Sequence, residues 1–210
     1  MTEFTDRLIA SMPDRVALPA PIVEAVDWLI STGCLTDDTT VGLVPADLDT
    51  SSSVYFETVD PEHMESWSGS ADAARHVAPF VRTGHDGSYA GIWSDDDGAT
   101  QFVHLGSGSG SAWAGAICDD PIDFLRFLAI GYDEPCWPEN HSLTPFEADD
   151  EERDGDDPPH LAPMAFREFL VQRFHTEIPT RAVEIVGDTP DMDDDDPSDP
   201  FLLWLASFPR

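Results

Sequence analysis

The chain has 210 residues, of which 41% are hydrophobic, and 42 acidic residues against 10 basic ones give a formal net charge of −32 at pH 7. Lysine is absent, so every one of the 10 basic residues is an arginine. An anionic surface of this size repels nucleic acid and anionic membranes, and we expect neither as a partner.

The length and apolar content suffice for one substantial core, and we expect a single domain over residues 1–210. The start, MTEFTDRLIASMP, lacks the basic stretch and apolar run of a secretory signal, and no run of about 18 apolar residues occurs. These features predict a soluble, cytoplasmic protein. Cys34, Cys118 and Cys136 form no C-x-x-C pair, so we expect reduced thiols and no disulfide framework.

The first predicted element is an amphipathic helix in PAPIVEAVDWLISTG. Ile22, Val26 and Leu29 follow helical spacing, Pro21 suits a first turn and Gly33 suits a stop. Residues 34–50 are rich in turn formers and leave the local structure open. The following SSSVYFETV predicts a short strand because its β-branched and aromatic residues favour a pleated surface.

The central region predicts four further strands. HVAPFVR reads as a strand interrupted at a sheet edge by Pro79. SYAGIWS, DDDG and TQFVHLGS together predict a β-hairpin with its tip at Asp97 and Gly98. After GSGSGS, the apolar SAWAGAIC predicts another strand. Asp119 or Asp120 then caps a helix that contains Pro121 in its first turn and ends near Gly131.

The last third predicts one helix between two acidic loops, followed by an apolar end. EADDEERDGDDPPH, residues 147–160, is expected to be an exposed loop, and a second acidic loop is expected near residues 188–199. PMAFREFLVQRFH places Phe166 and Leu170 near one helical face, and the terminal FLLWLASF is expected to dock on the core. Strands and helices without regular βαβ alternation predict an α+β fold with a central antiparallel sheet flanked by helices.

Two motifs suggest ligand binding but are incomplete. GSGSGS, residues 106–111, resembles a phosphate-binding loop, yet it lacks the Gly-Lys-Ser/Thr ending of a P-loop and is expected to be a turn between strands. DDDG, residues 95–98, resembles part of a calcium loop, yet the later bidentate glutamate is missing and a hairpin tip is favoured. We therefore expect no cofactor and no metal.

The histidines show no ligand spacing such as H-E-x-x-H, and His104 lies in a predicted strand, where a structural role is favoured over a catalytic one. A Cys-His pair that meets only in space stays possible from the sequence, because such partners need not be neighbours along the chain. The aspartate runs are expected to be solvated, which does not favour the unlike pKa values that a carboxylate pair needs for acid-base catalysis.

The segment GSYAGIWSDDDGATQFVHLGSGSGSAWAGAICDDPIDFLRFLAIGYDEPCW resembles bacterial members of the SUKH superfamily. The resembling features are the YAGIW and FVHLGS strands, the SAWAG step and the helix IDFLRFLAIGYDE, between about residues 84 and 140. The first 80 residues lack the Leu-Pro-x-x-Tyr/Phe helix and the Asn-Gly-Gly turn common in that superfamily. It includes yeast cell-wall synthesis regulators and bacterial immunity proteins that neutralise toxins.

The resemblance implies a non-enzymatic protein-binding domain whose binding surface differs between members. We therefore expect an immunity protein that inhibits a basic partner, such as a nuclease toxin domain. The residues expected to bind the partner form two acidic groups at the hairpin tip and in the first acidic loop: Asp95, Asp96, Asp97, Asp149, Asp150, Glu151 and Glu152. Trp93, Trp113 or Trp137 are candidate anchors, although each is more typical of a core.

Three alternatives stay open from the sequence. The acidity is also typical of proteins from organisms that live in high salt, where charge maintains solubility and selects no partner. If the acidity maintains solubility alone, the protein could be a regulatory scaffold without a toxin partner, which is the second functional hypothesis. A small hydrolase with an unrecognised carboxylate or Cys-His site is the third. The oligomeric state and the binding face are not indicated by any motif.

Overall fold

Six strands form one antiparallel sheet in the residues that the computed structural model describes, which are 1–152, 161–194 and 197–208. Each strand pairs with its neighbour along the chain, in the order β1-β2-β3-β4-β5-β6. The strands are β1 Thr40–Gly42, β2 Tyr55–Glu57, β3 Val77–Arg82, β4 Tyr89–Ser94, β5 Thr100–Leu105 and β6 Ala114–Cys118. This confirms the expected α+β class with a central antiparallel sheet.

Helices pack on both faces of the sheet. They are α1 Glu3–Ser11, α2 Ala20–Ser31, α3 Pro61–Ser68, α4 Ala71–Ala74, α5 Pro121–Ile130, α6 Pro145–Glu152, α7 Met164–Phe174 and α8 Pro200–Leu205. Two short 3-10 helices cover Pro138–Ser142 and Ala182–Glu184. Within the described ranges, none of these helices is both long and apolar enough to cross a membrane.

Alternation along the strands divides the buried side chains into two cores. In β4 and β5, Ile92 and Phe102 point to one face of the sheet, whereas Trp93 and Val103 point to the other. The first pair belongs to the large core, which the sheet shares with α1, α2, α5, α6 and α7. The second pair belongs to the small core, which it shares with α3, α4 and α8.

The predicted hairpin is confirmed as β4–β5. The Asp95 N–H donates to the Ala99 carbonyl over 2.9 Å, and the Gly98 N–H donates to the Asp95 carbonyl over 3.2 Å. Gly98 has φ of 85°, a left-handed conformation that glycine adopts without a Cβ penalty. The Asp97-Gly98 signal therefore identified the tip correctly.

The expectation that Pro79 marks a sheet edge is wrong. β3 lies inside the sheet between β2 and β4, and Pro79 pairs with Gly91 of β4. The register shifts between Pro79 and Val81, as in a β-bulge. At an irregularity of this kind the ladder tolerates a residue that has no N–H to donate.

The expected loop at residues 147–160 is also corrected in its first part. Residues 145–152 form α6, and Ala148 is buried in the large core. Burial of this one small side chain anchors a segment that is otherwise acidic. Residues 153–160 lie outside the described part of the chain. In the open region 34–50, the structure places the short strand β1, which pairs with β2.

The predicted helices are confirmed as α2, α5 and α7, and the terminal FLLWLASF, which was expected to dock on the core, does so as α8. Asp120 is the N-cap of α5, since its carboxylate accepts hydrogen bonds from the Ile122 and Asp123 N–H groups, and Gly131 is its C-cap. Three further helices, α1, α3 and α4, were not expected from the sequence. Each begins at a polar N-cap, Thr2, Asp60 and Ser70 respectively.

The first part of the acidic segment near residues 188–199 runs along the outer edge of the sheet. The Ala114 N–H of β6 donates to the Pro190 carbonyl over 3.1 Å, and the Met192 N–H donates to the Ala112 carbonyl over 2.8 Å. Trp113 and Asp191 form an isolated antiparallel bridge there. Residues 190–192 therefore cover the start of edge strand β6.

Candidate functional site

The hairpin tip carries the first group of predicted partner-binding residues. Asp96 and Asp97 are exposed, whereas Asp95 is half-buried. The Asp95 carboxylate accepts hydrogen bonds from the Asp97 N–H over 3.0 Å and from the Ala99 N–H over 2.8 Å. Asp95 therefore shapes the turn, and Asp96 and Asp97 present their carboxylates to solvent.

A histidine that the sequence did not indicate as functional, His76, contacts both the hairpin tip and α8. His76 is buried, and its Nδ1 lies 2.8 Å from the Ser94 carbonyl oxygen. Its Nε2 lies 3.8 Å from an Asp96 carboxylate oxygen. The His76 ring also contacts the Trp204 ring of α8, with 5.3 Å between centroids. His76 thus connects the acidic tip to the aromatic surface of α8.

An apolar patch lies on the outer side of α8. Leu203 is 54% exposed, and Trp204 and Phe208 are half-buried, with 4.8 Å between the two ring centroids. Phe201 and Leu205 of the same helix are buried in the small core and fix its orientation. We refer to Leu203, Trp204 and Phe208 as the α8 patch.

Acidic side chains project from the elements around the α8 patch. They are exposed and come from α3, α4, the hairpin tip and the segment after Pro190, and we call them the acidic face: Glu62, Glu65, Asp72, Asp96, Asp97 and Asp193. Arg75, which follows α4, is exposed in the same layer. Solvent-exposed apolar surface bordered by charge is typical of a protein interaction site.

Several arginines lie instead on the large-core side, where they pair with carboxylates. Two pairs lie within one helix and two join different segments. They are Arg7 with Glu3, Arg126 with Asp123, Arg173 with Glu24, and Arg181 with Glu147. Positive charge therefore offsets negative charge mainly on that side. None of these four pairs involves a carboxylate of the acidic face.

The second group of predicted partner-binding residues lies in α6, away from the hairpin tip. Asp149 is half-buried, and the side chains of Asp150, Glu151 and Glu152 lie outside the described part of the chain. α6 packs on the large core, whereas the hairpin tip is linked through His76 to α8 on the small-core side. The two acidic groups are therefore carried by elements that belong to different cores.

The three tryptophans that the sequence suggested as anchors lie outside the α8 patch. Trp93 and Trp113 are buried, with 7% and 2% of their surface exposed. Trp137 is half-buried and donates its Nε1–H to a Glu134 carboxylate oxygen over 3.1 Å. In FLLWLASF the helical spacing that buries Phe201, Leu202 and Leu205 leaves Leu203 exposed, whereas Trp204 stays half-buried against the small core.

His104 occupies a buried structural position. Its Nε2 lies 2.9 Å from Thr83 Oγ1 and its Nδ1 lies 2.9 Å from the Trp113 carbonyl oxygen. Its ring stacks on the Trp113 ring with 4.0 Å between centroids. Burial lowers the pKa of His104 to about 3, so the ring is neutral near pH 7. Both ring nitrogens are engaged in the fold.

The three cysteines have thiols rather than thiolates near pH 7. Cys34 and Cys136 are buried and Cys118 is half-buried. Burial raises the pKa of each thiol, and nearby carboxylates raise the pKa of Cys118 and Cys136 further. A cysteine nucleophile needs the opposite shift. In the described ranges, no group of three or more His, Cys, Asp or Glu side chains is arranged to hold a metal ion.

The GSGSGS loop is organised by Asp86 instead of exposing its amides to a phosphate. The Asp86 carboxylate accepts hydrogen bonds from the Ser111 N–H and the Ser107 hydroxyl, each over 2.8 Å, and from the Ser88 N–H and hydroxyl over 2.9 Å. Burial alone would raise the pKa of Asp86, but these donors hold it below its usual value. A carboxylate therefore occupies the position that an anion would need.

Comparison of the chain with protein-family models, with curated proteins and with solved structures found no significant match.

Proposed function

We propose that the protein is a non-enzymatic binding protein of the SUKH type that acts as an immunity protein in the cytoplasm by covering a basic toxin domain. The observation that carries the proposal is the α8 patch, in which the exposed Leu203 lies beside the half-buried rings of Trp204 and Phe208 and is bordered by the acidic face. A six-stranded antiparallel sheet flanked by helices is compatible with the fold that the SUKH resemblance implies.

The composition of this surface favours a basic protein as partner. Binding energy in protein interfaces is concentrated in a few apolar and aromatic residues at the centre, and Trp204 and Leu203 are suited to that position. The surrounding carboxylates accelerate association with a cationic surface and reject anionic ones. A nuclease domain carries positive charge to hold phosphates, so an acidic surface of this kind competes directly for it.

A pull-down from source-cell lysate tests the proposal, with the full chain as bait at low and at high salt. The informative bait is the double variant Asp96→Lys, Asp97→Lys, because both side chains are exposed and neither forms the turn. The matched control is Asp14→Lys, Asp47→Lys, which makes the same charge change at exposed positions elsewhere.

We expect the wild type and the control to retain a basic protein at low salt that high salt releases, and the tip variant to retain much less of it. The purified partner should then lose its toxic activity in the presence of the wild-type chain. Equal retention by all three baits would contradict a role for the acidic face. A partner that keeps full toxic activity in the complex would contradict inhibition.

A further inference from the structure

A cleft between α3 and α8 lies on the same side of the molecule as the α8 patch. Its volume is about 530 Å³, within the range of sites that hold small ligands. Trp67 forms part of one wall, Leu205 of α8 lies on another, and Met192 and Asp193 come from the segment that covers β6. His63, Ser66, Ser68, Gly69 and Ser107 complete the lining.

The Trp67 indole is held in a fixed orientation. Its Nε1–H donates to the Gly106 carbonyl over 2.8 Å, and its ring stacks on Phe201 with 6.3 Å between centroids. The side chain remains half-buried, so part of the ring is open to the cleft. A fixed, partly exposed indole is a favourable surface for a planar cation, because the ring face is negative.

The polar groups of the cleft favour a positively charged occupant. The exposed carboxylate of Asp193 lies in its lining, together with the Ser66 hydroxyl. Glu62 and Glu65 are exposed on α3, the helix that supplies Trp67. Among the described residues, neither arginine nor lysine contributes to the lining of the cleft.

We infer that the α3–α8 cleft receives the guanidinium group of an arginine side chain from a basic protein partner. The inference rests on the proposed function and specifies a contact within it. Arginine suits the site better than lysine because its planar group stacks on an indole and at the same time donates several hydrogen bonds to a carboxylate. The aliphatic part of the side chain would lie against Met192 and Leu205.

A peptide titration tests the cleft without the natural partner. The ¹⁵N-labelled full chain is titrated with blocked Gly-Arg-Gly, and the indole N–H of Trp67 and the amide of Gly69 are followed by NMR. We expect saturable shifts at these two groups, with Kd on the order of 1 mM. Blocked Gly-Lys-Gly should bind about fivefold more weakly, and the norleucine peptide should cause no saturable shift.

The variant Asp193→Asn should weaken binding of the arginine peptide about fivefold, since it removes an exposed charge pair. The matched control Asp14→Asn makes the same substitution at an exposed site outside the cleft and should bind as the wild type does. Shifts spread over the whole acidic surface, equal binding of the lysine peptide, or equal weakening in both variants would overturn the inference.

The result is separable from that of the lysate experiment. If a basic partner depends on Asp96 and Asp97 while the arginine peptide leaves Trp67 unchanged, the cleft inference fails and the proposed function stands. If the peptide binds in the cleft but no basic protein is inhibited, the proposed function fails and the arginine site stands.

Discussion

The carboxylate of Asp199 accepts a hydrogen bond from the backbone N–H of Ala116 in edge strand β6, over 2.9 Å. Its other oxygen accepts from the Phe201 and Leu202 N–H groups at the start of α8, over 2.9 and 3.1 Å. One side chain thus caps the helix and binds it to the sheet. The orientation of the α8 patch depends on this double contact.

We expect Asp199→Ala to lower the free energy of unfolding by about 2 kcal/mol, because an N-cap and a bond to the strand are lost together. The control is Asp60→Ala, which removes the N-cap bond of α3 to Glu62 alone and should cost about 1 kcal/mol. Urea unfolding at neutral pH measures both. Equal losses would show that the contact with Ala116 contributes nothing.

Gly91 is expected to tolerate no larger side chain. A Cβ at this position would lie 2.2 Å from the Ala78 carbonyl oxygen and 2.8 Å from the Pro79 Cα, both of them backbone atoms of β3. Gly91→Ala should therefore lower the free energy of unfolding by about 3 kcal/mol through forced strand displacement. Gly187→Ala, where a Cβ would meet nothing within 4 Å, should change it little. A similar small change in both variants would contradict the close packing of β3 and β4.

Replacement of Asp86 should loosen the GSGSGS loop. Asp86→Asn removes the charge that accepts from Ser88, Ser107 and Ser111 and should lower the free energy of unfolding by about 2 kcal/mol. It should also speed amide exchange at Ser111. Asp37→Asn, in a local exposed turn with Thr39 and Thr40, should cost less than about 1 kcal/mol. Unchanged exchange at Ser111 would be inconsistent with the Asp86 contact.

Burial of neutral His104 makes stability depend on pH. Burial depresses the pKa of His104 from its ordinary value to about 3 in the folded chain. At a pH between these two pKa values, the unfolded chain binds a proton at His104 more readily than the folded chain does. The stabilisation is full above about pH 7 and falls by up to about 1.4 kcal/mol for each pH unit below about pH 6.

The variant His104→Gln cannot be protonated and should lose less stability than the wild type between about pH 7 and about pH 5. The exposed His175→Asn serves as the control, because Asn tolerates the left-handed backbone at that position. Urea unfolding at intervals across this range gives the slopes. Parallel curves for wild type and His104→Gln would refute the prediction.

The α8 patch should contribute to partner capture without contributing much to stability. We expect Leu203→Asp, at a side chain 54% exposed, to reduce retention of the basic partner about tenfold or more, as at other interface centres. Val171→Asp on α7 makes the same change at a side chain 43% exposed and should retain it fully. Thermal unfolding of both variants checks the fold. Equal retention by both would place the interface elsewhere.

Local signals were sufficient to predict much of the fold. The Asp97-Gly98 tip and the pair of Asp120 and Gly131 at the ends of α5 each define their own backbone conformation, and the structure confirms them. The placement of Pro79 and the helical state of α6 could not be predicted in this way. Pro79 is accommodated by a bulge between distant pairing partners, and α6 is anchored by burial of Ala148 in the large core.

The candidate site was predictable only in part. The hairpin tip could be found because a turn between two strands places charged residues at the surface. Asp96 and Asp97 are exposed there, as expected. The α8 patch could not be found because docking of the helix decides which of its apolar residues remain outside. The cleft depends on Trp67 and Met192, which are far apart in sequence and meet only through folding.

The strip of chain that follows Pro190 occupies hydrogen-bonding groups of β6, and the opposite edge strand β1 is only three residues long. Exposed edges are templates on which further copies of a chain can add strands into fibrils. The net charge of −32 keeps copies apart at long range, but dissolved ions shorten that range. Hydrogen bonds that occupy β6 are insensitive to ions, so this protection against strand addition does not depend on the salt concentration.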